Sequence, residues 1–242
     1  ASWVKPEDDT DRVIGTSDDR WVEAGDCNTP TEIITSASLI RTHRVLASKG
    51  INTENFGSKA YAIWNHRVAL AISEGGHNNL GSCGHQIWAG LDLYAVYSDS
   101  DCWNRALSKI TEASDGINAN PSSYDTAIEG AGYDLWALAG FARTYPSQQP
   151  QAGNATNAVN ALMGRCMELA NDPVGLIQRN LAGSIQYFPV NPELGINRCY
   201  GTVTNGAVEA YRLTGKAQYL RFAMDQFNWI LGSNYQRICM ME

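Results

Sequence analysis

The sequence predicts an all-α fold built from helical hairpins, and three observations carry that prediction. Apolar residues recur at three- and four-residue spacing in eight separate segments, which is how a helix with one buried face is written. Short stretches rich in Gly, Pro, Asp and Asn join them, and short connections favour antiparallel neighbours. Strand signal is nearly absent, with Ile185 to Val190 alone reading as a short strand. Successive amphipathic helices must bury their stripes on one another, and a helical bundle, a helical solenoid or an (α/α) barrel would each satisfy that. No fixed repeat period is visible, which counts against the solenoid arrays.

Taken in order, residues 1–29 are acidic and irregular, with Glu7, Asp8, Asp9 and Asp11 followed by Asp18, Asp19, Glu23 and Asp26. The first cluster reads as a solvated loop, with calcium binding or a catalytic part as the alternatives, since carboxylates held close raise one another's pKa. A first helix follows Pro30, where a missing N–H costs no hydrogen bond, and carries Ile33, Ala37 and Ile40 on one face. A second runs from about Lys59 to Ser73, with Ala60, Ile63, Trp64, Val68 and Ala71 in register. Gly75 to Gly84 reads as a polar, Gly-rich loop. The third helix carries Ile87, Leu91 and Tyr94; Ser98-Asp99-Ser100 supplies a turn and cap; the fourth carries Trp103, Leu107 and Ile110.

Asn118 to Ser123 reads as a Pro-containing loop, and the fifth helix has Leu135, Leu138 and Ala142 and ends before Pro146. Ser147 to Asn154 reads as polar linker, and the sixth helix has Leu162, Cys166 and Leu169 on one face. From Asp172 to Arg198 the pattern is irregular and holds Pro173, Pro189 and Pro192. The stretch Cys199 to Asn234 reads as a closing hairpin. Its first helix carries Val203, Ala207 and Ala210, and its second Leu220, Ala223, Phe227 and Ile230. Gly215 and Gly232 end these two helices, because Gly takes the left-handed conformation at no steric cost.

A chain of 242 residues is long enough to bury a substantial core and is most simply one domain, residues 1–242. Hydrophobic content of 44% with 18% charged residues argues against disorder. The net charge of −7, with no basic cluster to offset it, argues against nucleic acid and suits a neutral polymer or small molecule, although an ordinary soluble protein carries the same charge. No apolar run reaches the roughly 18 residues that cross a bilayer. No signal peptide is visible, so the chain reads as mature, trimmed or a fragment. The six cysteines, Cys27, Cys83, Cys102, Cys166, Cys199 and Cys239, are scattered without a C-x-x-C, which disfavours a zinc ribbon or thioredoxin-type motif. An even count permits disulfides in a secreted protein. The sequon Asn154-Ala155-Thr156 suits a secreted surface loop.

Several motifs together carry a family resemblance. Tyr200-Gly201, then Asn205, then the Ile230-Leu231-Gly232-Ser233-Asn234 run resemble the late barrel helices of glycoside hydrolase family 9, the cellulase-type enzymes. Ile87-Trp88-Ala89-Gly90-Leu91-Asp92-Leu93-Tyr94 before Ser98-Asp99 resembles another of its helices. Thr35 to Leu39 with Arg44-Val45-Leu46 resembles a third, and Trp3-x-x-Pro6-Glu7 resembles the segment before it. Tyr200 stands where the family has Trp, and Tyr235 where it has Pro. The resemblance implies an (α/α)6 barrel, twelve helices in two rings, of which this chain supplies an incomplete set. It also implies a secreted, inverting β-glycan hydrolase acting on an oligo- or polysaccharide. The family's general base lies upstream of the matching region, and its general acid and sugar-binding His-x-Arg lie downstream. The chain therefore reads as the middle of a longer catalytic domain, completed by further segments or copies of the same protein. A non-catalytic sugar-binding or scaffold domain of the same ancestry is the alternative. No cofactor is expected: the family's calcium run corresponds to Leu80 to His85, where both carboxylates are gone.

Inverting hydrolysis needs two carboxyls roughly 6.5–9.5 Å apart, and no acidic pair here has a context that marks it. Aromatics are the better candidates, because pyranose C–H faces pack on flat rings while hydroxyls need polar partners. Trp3 and Tyr200 match positions where the family stacks sugars, against the plainer reading that they pack. His77, in the Gly-rich loop, is a candidate hydroxyl partner or an ordinary surface histidine. Trp64, Trp88, Trp103, Trp136 and Trp229 read as packing residues within helices, and Cys83 with His85 is a weak start for a metal site. Nothing resembles a phosphate loop.

Overall fold

A computed structural model describes residues 29–73, 82–126, 128–171, 175–181, 184–186 and 196–232. They form eight α-helices: α1 (Thr29–Ala47), α2 (Glu54–Ser73), α3 (Ser82–Tyr97), α4 (Ser100–Ala119), α5 (Ile128–Thr144), α6 (Gln151–Leu169), α7 (Ile196–Thr214) and α8 (Ala217–Ile230). A 3-10 turn (Pro121–Tyr124) follows α4, and strands β1 (Arg179–Leu181) and β2 (Ser184–Gln186) pair antiparallel between α6 and α7. None of these helices is long and apolar enough to cross a membrane.

The helices come in hairpins, α1 on α2, α3 on α4, α5 on α6 and α7 on α8. Each hairpin reverses the chain, so α1, α3, α5 and α7 run in one direction. They pack on one another in that order as a single layer, and α4 and α6 adjoin in a second. The turns explain themselves chemically. Gly50, Gly215 and Gly232 hold φ of +74°, +71° and +108°. Asp99 caps α4 by accepting from the Asp101 N–H at 2.9 Å, and its other oxygen accepts from the Tyr61 hydroxyl of α2 at 2.5 Å.

Glycines set the spacing of the α3, α5 and α7 row. A Cβ at Gly84 would lie 2.6 Å from the Tyr133 carbonyl carbon, and one at Gly132 would lie 2.6 Å from the Val203 nitrogen. A Cβ at Gly206 would lie 2.7 Å from the Gly132 carbonyl oxygen. Glycine inside a helix costs about 0.5–1 kcal/mol relative to alanine. Here the missing side chains let backbone meet backbone. The contacts share one register: Gly84 of α3 faces Tyr133 of α5, and Gly132 of α5 faces Thr202 of α7, each the residue that follows the neighbour's own glycine (Gly132, Gly201).

Around that row one core cluster joins residues of α3 through α8, including Ile87, Ile110, Leu135, Leu162, Val203 and Phe222. A second joins Ile40 of α1, Trp64 of α2, Leu93 of α3 and Cys102 of α4. Buried polar groups are braced. Ser36 Oγ donates to the Ala60 carbonyl at 2.8 Å, Arg165 Nε to Asp125 at 2.7 Å, and Arg41 Nε pairs with Asp92 at 2.7 Å. Gln226 of α8 is fully buried; its Oε1 accepts from the Ile177 N–H at 2.9 Å and its Nε2 donates to the Gly175 carbonyl at 2.7 Å, so it holds the segment leading into β1. Burial pushes the Cys83, Cys102 and Cys166 thiols up to about 12, and none of these three is in a disulfide.

Several expectations need correction. The second helix starts at Glu54, five residues before the expected Lys59. The Gly-rich loop gives way to helix at Ser82, and Gly84 is buried against α5 because only a glycine fits there. Asn118 and Ala119 still belong to α4, and Gln151 to Asn154 already belong to α6. The sequon is therefore helical, and the Thr156 hydroxyl donates to the Ala152 carbonyl at 2.8 Å instead of standing in a loop. The strand expected over Ile185 to Val190 is Ser184–Gln186, and residues 187–190 lie outside the described set. On α8 the buried stripe is Tyr219, Phe222, Ala223, Gln226 and Ile230, which leaves Phe227 41% exposed beside Met224 and Leu231. Residues 1–28, with Trp3, the acidic cluster and Cys27, lie outside the described residues, as do His77 and Cys239.

The glycine contacts make a direct prediction. Gly132→Ala forces the α5 and α7 backbones apart and should lower unfolding free energy by about 1–3 kcal/mol or more, the range for overpacking. Gly116→Ala, in a helix interior with nothing within 4 Å of its Cβ, should be neutral or stabilise by up to about 1 kcal/mol. Urea unfolding followed by circular dichroism checks both.

Candidate functional site

Three parallel helices repeat one spacing. Gly84-His85-x-x-Trp88 on α3, Gly132-Tyr133-x-x-Trp136 on α5 and Gly201-Thr202-x-x-Asn205 on α7 each place a glycine, the next residue and the fourth residue on one helical face. Because the helices share a register, those faces line up across the layer. The result is a cavity of about 300 Å³ lined by Trp88, Gly132, Tyr133, Trp136, Gly201, Thr202 and Asn205.

The lining divides into an aromatic side and a polar side. Trp88 and Trp136 are in contact with their ring planes at 80°, and Trp88 is edge-on to Tyr133 with centroids 6.5 Å apart. His85 is 5% exposed and packs behind them, its ring 4.1 Å from Tyr133 and 5.6 Å from Trp88. On the α7 side, Thr202 Oγ1 donates to the Cys199 carbonyl at 3.0 Å, which leaves its lone pairs able to accept from a ligand, and Asn205 is exposed with an amide that donates and accepts. The lining residues include no carboxylate, thiol or imidazole. Such a surface can bind and orient a flat, hydroxylated ring, and it offers the Tyr133 phenol and the Thr202 hydroxyl but no carboxylate.

A buried acid braces the cavity from behind. Asp134, next to Tyr133, is fully buried and accepts from the Gly84 N–H at 2.6 Å and from the Tyr124 hydroxyl. It thereby ties the first turn of α3 and the 3-10 turn to α5, and keeps His85 against Tyr133. Desolvation pushes the Asp134 carboxyl up to about 6, with the nearby Glu112 charge adding and the two hydrogen bonds opposing. Burial likewise raises the Tyr124 hydroxyl well above its ordinary range.

The site that emerges differs from the one the sequence suggested. Tyr200 is 0% exposed and part of the core, so its ring has no open face on which a sugar could stack; this corrects the platform expected there. Its neighbours Gly201 and Asn205 line the cavity instead. Trp88 and Trp136, expected to be packing residues, are the aromatic lining, whereas Trp64 is 3% exposed in the core and Trp103 packs between Tyr94 and Tyr145. The usable signal was the triple Gly-x-x-x-(Trp/Asn) spacing, hidden because the copies begin 48 and then 69 positions apart, the longer gap holding the β-hairpin. Cys83 and His85 are both buried, and no group of three or more His, Cys, Asp or Glu side chains suited to a metal occurs among the described residues. No protein-family model matches the chain, and no curated protein matches it.

Asp134 makes stability pH-dependent with a definite sign. Its folded pKa of about 6 lies above the ordinary 3.8, so its contribution is complete below pH 3.8 and is lost as pH rises through 6. Asp134→Asn, shaped like the protonated acid, should remove a loss on the order of 3 kcal/mol that the parent suffers over that interval. Urea midpoints measured from pH 4 to 7 check it; parallel pH profiles for the two proteins would refute the assignment.

Proposed function

We propose that this chain is part of a secreted β-glycan hydrolase resembling glycoside hydrolase family 9, and that the Trp88–Trp136 cavity is a sugar-binding subsite of it. The observation that carries the reading is the pairing of flat indole rings with the Thr202 hydroxyl and the Asn205 amide across one cavity. A pyranose presents an apolar C–H face to the first and hydroxyls to the second. Gly201 and Asn205 also belong to the motif that carries the family resemblance. The parallel row of α1, α3, α5 and α7 backed by α4 and α6 is how an arc of an (α/α)6 barrel would be built. The exposed Met224, Phe227 and Leu231 on α8 form the kind of apolar seam on which further hairpins would dock. In this reading the two catalytic carboxylates come from outside the described residues. The calcium carboxylates of the family are replaced, and the corresponding Cys83 and Gly84 are buried.

The second reading, a non-catalytic sugar-binding or scaffold domain of the same ancestry, is favoured by the cavity lining itself, which holds no carboxylate. Binding and turnover separate the two. Calorimetry with a cello-oligosaccharide should show binding that Trp136→Ala weakens at least about tenfold, or roughly 1.4 kcal/mol, while Trp229→Phe leaves it unchanged. The chain alone should release no reducing sugar from β-1,4-glucan. Release would put the acid and base inside this polypeptide, and absence of any glycan binding would refute the subsite.

A further inference from the structure

A cationic pair stands beside the aromatic side of the cavity. Arg41 of α1 reaches across α3 and sets its guanidinium carbon 5.3 Å from the centroid of the Trp136 ring. Side chains of α1 and α5 can meet over the intervening helix only on the side of the layer where Trp88 and Trp136 stand. One turn along, Arg44 pairs with the same carboxylate as Arg41, that of Asp92. Asp92 is buried at 2%, whereas the two arginine side chains are 45% and 43% exposed.

The charges do not balance. Among the described residues, two guanidiniums pair with one carboxylate, a local surplus of positive charge beside the Trp136 ring of a chain whose net charge is −7. A helix-to-helix brace would need only one arginine. Arg41 Nε lies 2.7 Å from Asp92 as an ion pair, and the planar guanidinium fork matches a carboxylate in a way that an ammonium does not. Stacking on Trp136 holds the fork in place before any ligand arrives.

We propose that Arg41 and Arg44 form an anion-recognising end of the aromatic cavity, which selects a glycan bearing a uronic-acid carboxylate over its neutral counterpart. The inference rests on the glycan reading of the cavity and specifies the class of sugar. A C5 carboxylate sits one bond from the pyranose ring, so a sugar stacked on the indoles presents it at the ring edge, within reach of an arginine fork that borders the same ring. Asp92 keeps the two guanidiniums from repelling each other while leaving the pair net positive.

The test compares three β-1,4-linked probes of equal length by calorimetry: a cello-oligosaccharide, the corresponding oligoglucuronate, and its methyl ester. The oligoglucuronate should bind about tenfold more tightly than the other two at low salt, and the advantage should shrink as salt screens it. Arg41→Gln should remove most of that advantage, weakening the oligoglucuronate several-fold more than the neutral probe, with thermal unfolding confirming the fold. Arg41→Lys, which keeps the charge toward Asp92 but lacks the fork, should retain only part of it. Equal affinity for the three probes overturns the anionic subsite while leaving the sugar cavity standing. Binding of none of them overturns the cavity reading and this inference together.

Discussion

The approach of α3, α5 and α7 through glycine is the constraint from which the rest of the structure follows. With Gly132 against the Thr202–Val203 backbone and Gly84 against Tyr133, the helices cannot slide by a turn without driving a side chain into a neighbouring carbonyl. That lock fixes the register, and the register decides which residues face one another across the layer. Moving α5 one turn relative to α7 would carry Trp136 away from Asn205 and dissolve the cavity. The conformational entropy that glycine costs each helix is offset at Gly84, Gly132 and Gly206 by close backbone contact with a neighbouring helix.

Polar groups reinforce the same geometry at a distance from it. Asp134 joins α5 to the first turn of α3, Asp92 joins α3 to α1, and Asp125 with Arg165 joins the 3-10 turn region to α6. Asp134 and Asp125 are buried carboxylates with hydrogen-bond donors in place, so removing a donor would strand a desolvated acceptor, whereas Asp92 is held by its ion pairs with Arg41 and Arg44. Asp134 is the instructive case. Its two donors are neutral, and desolvation wins over them, whereas Asp92 faces two guanidiniums. Asp134 is an uncharged brace in acid and becomes a charged one as pH rises through about 6.

The cavity, the arginine pair and the apolar seam on α8 lie on different parts of the same layered arrangement. The cavity presents indole rings on one side and a hydroxyl and an amide on the other, and the Arg41 guanidinium lies over the Trp136 ring. The exposed Met224, Phe227 and Leu231 give the arrangement a way to continue sideways. None of these features needs an acid or base of its own within the cavity, which is why binding and bond cleavage are separable questions for this chain.

By itself the sequence determined the helices and their order. Three- and four-residue spacing of Ile33, Ala37 and Ile40, or of Leu162, Cys166 and Leu169, is a local property of the helix, and so are the Asp99 cap and the Gly215 turn. Boundaries drifted by a few residues where polar stretches such as Gln151 to Asn154 are helical only because the following turns are packed. The faces were less legible: Phe227 is exposed and Tyr200 buried, because a stripe cut by periodicity alone ignores what the neighbouring helix brings. The cavity was decided only by tertiary structure. Gly84, Gly132 and Gly201 stand far apart along the chain, and their common spacing acquires meaning only when parallel helices are set in register. That register comes from backbone contacts between distant residues, which no window along the chain contains.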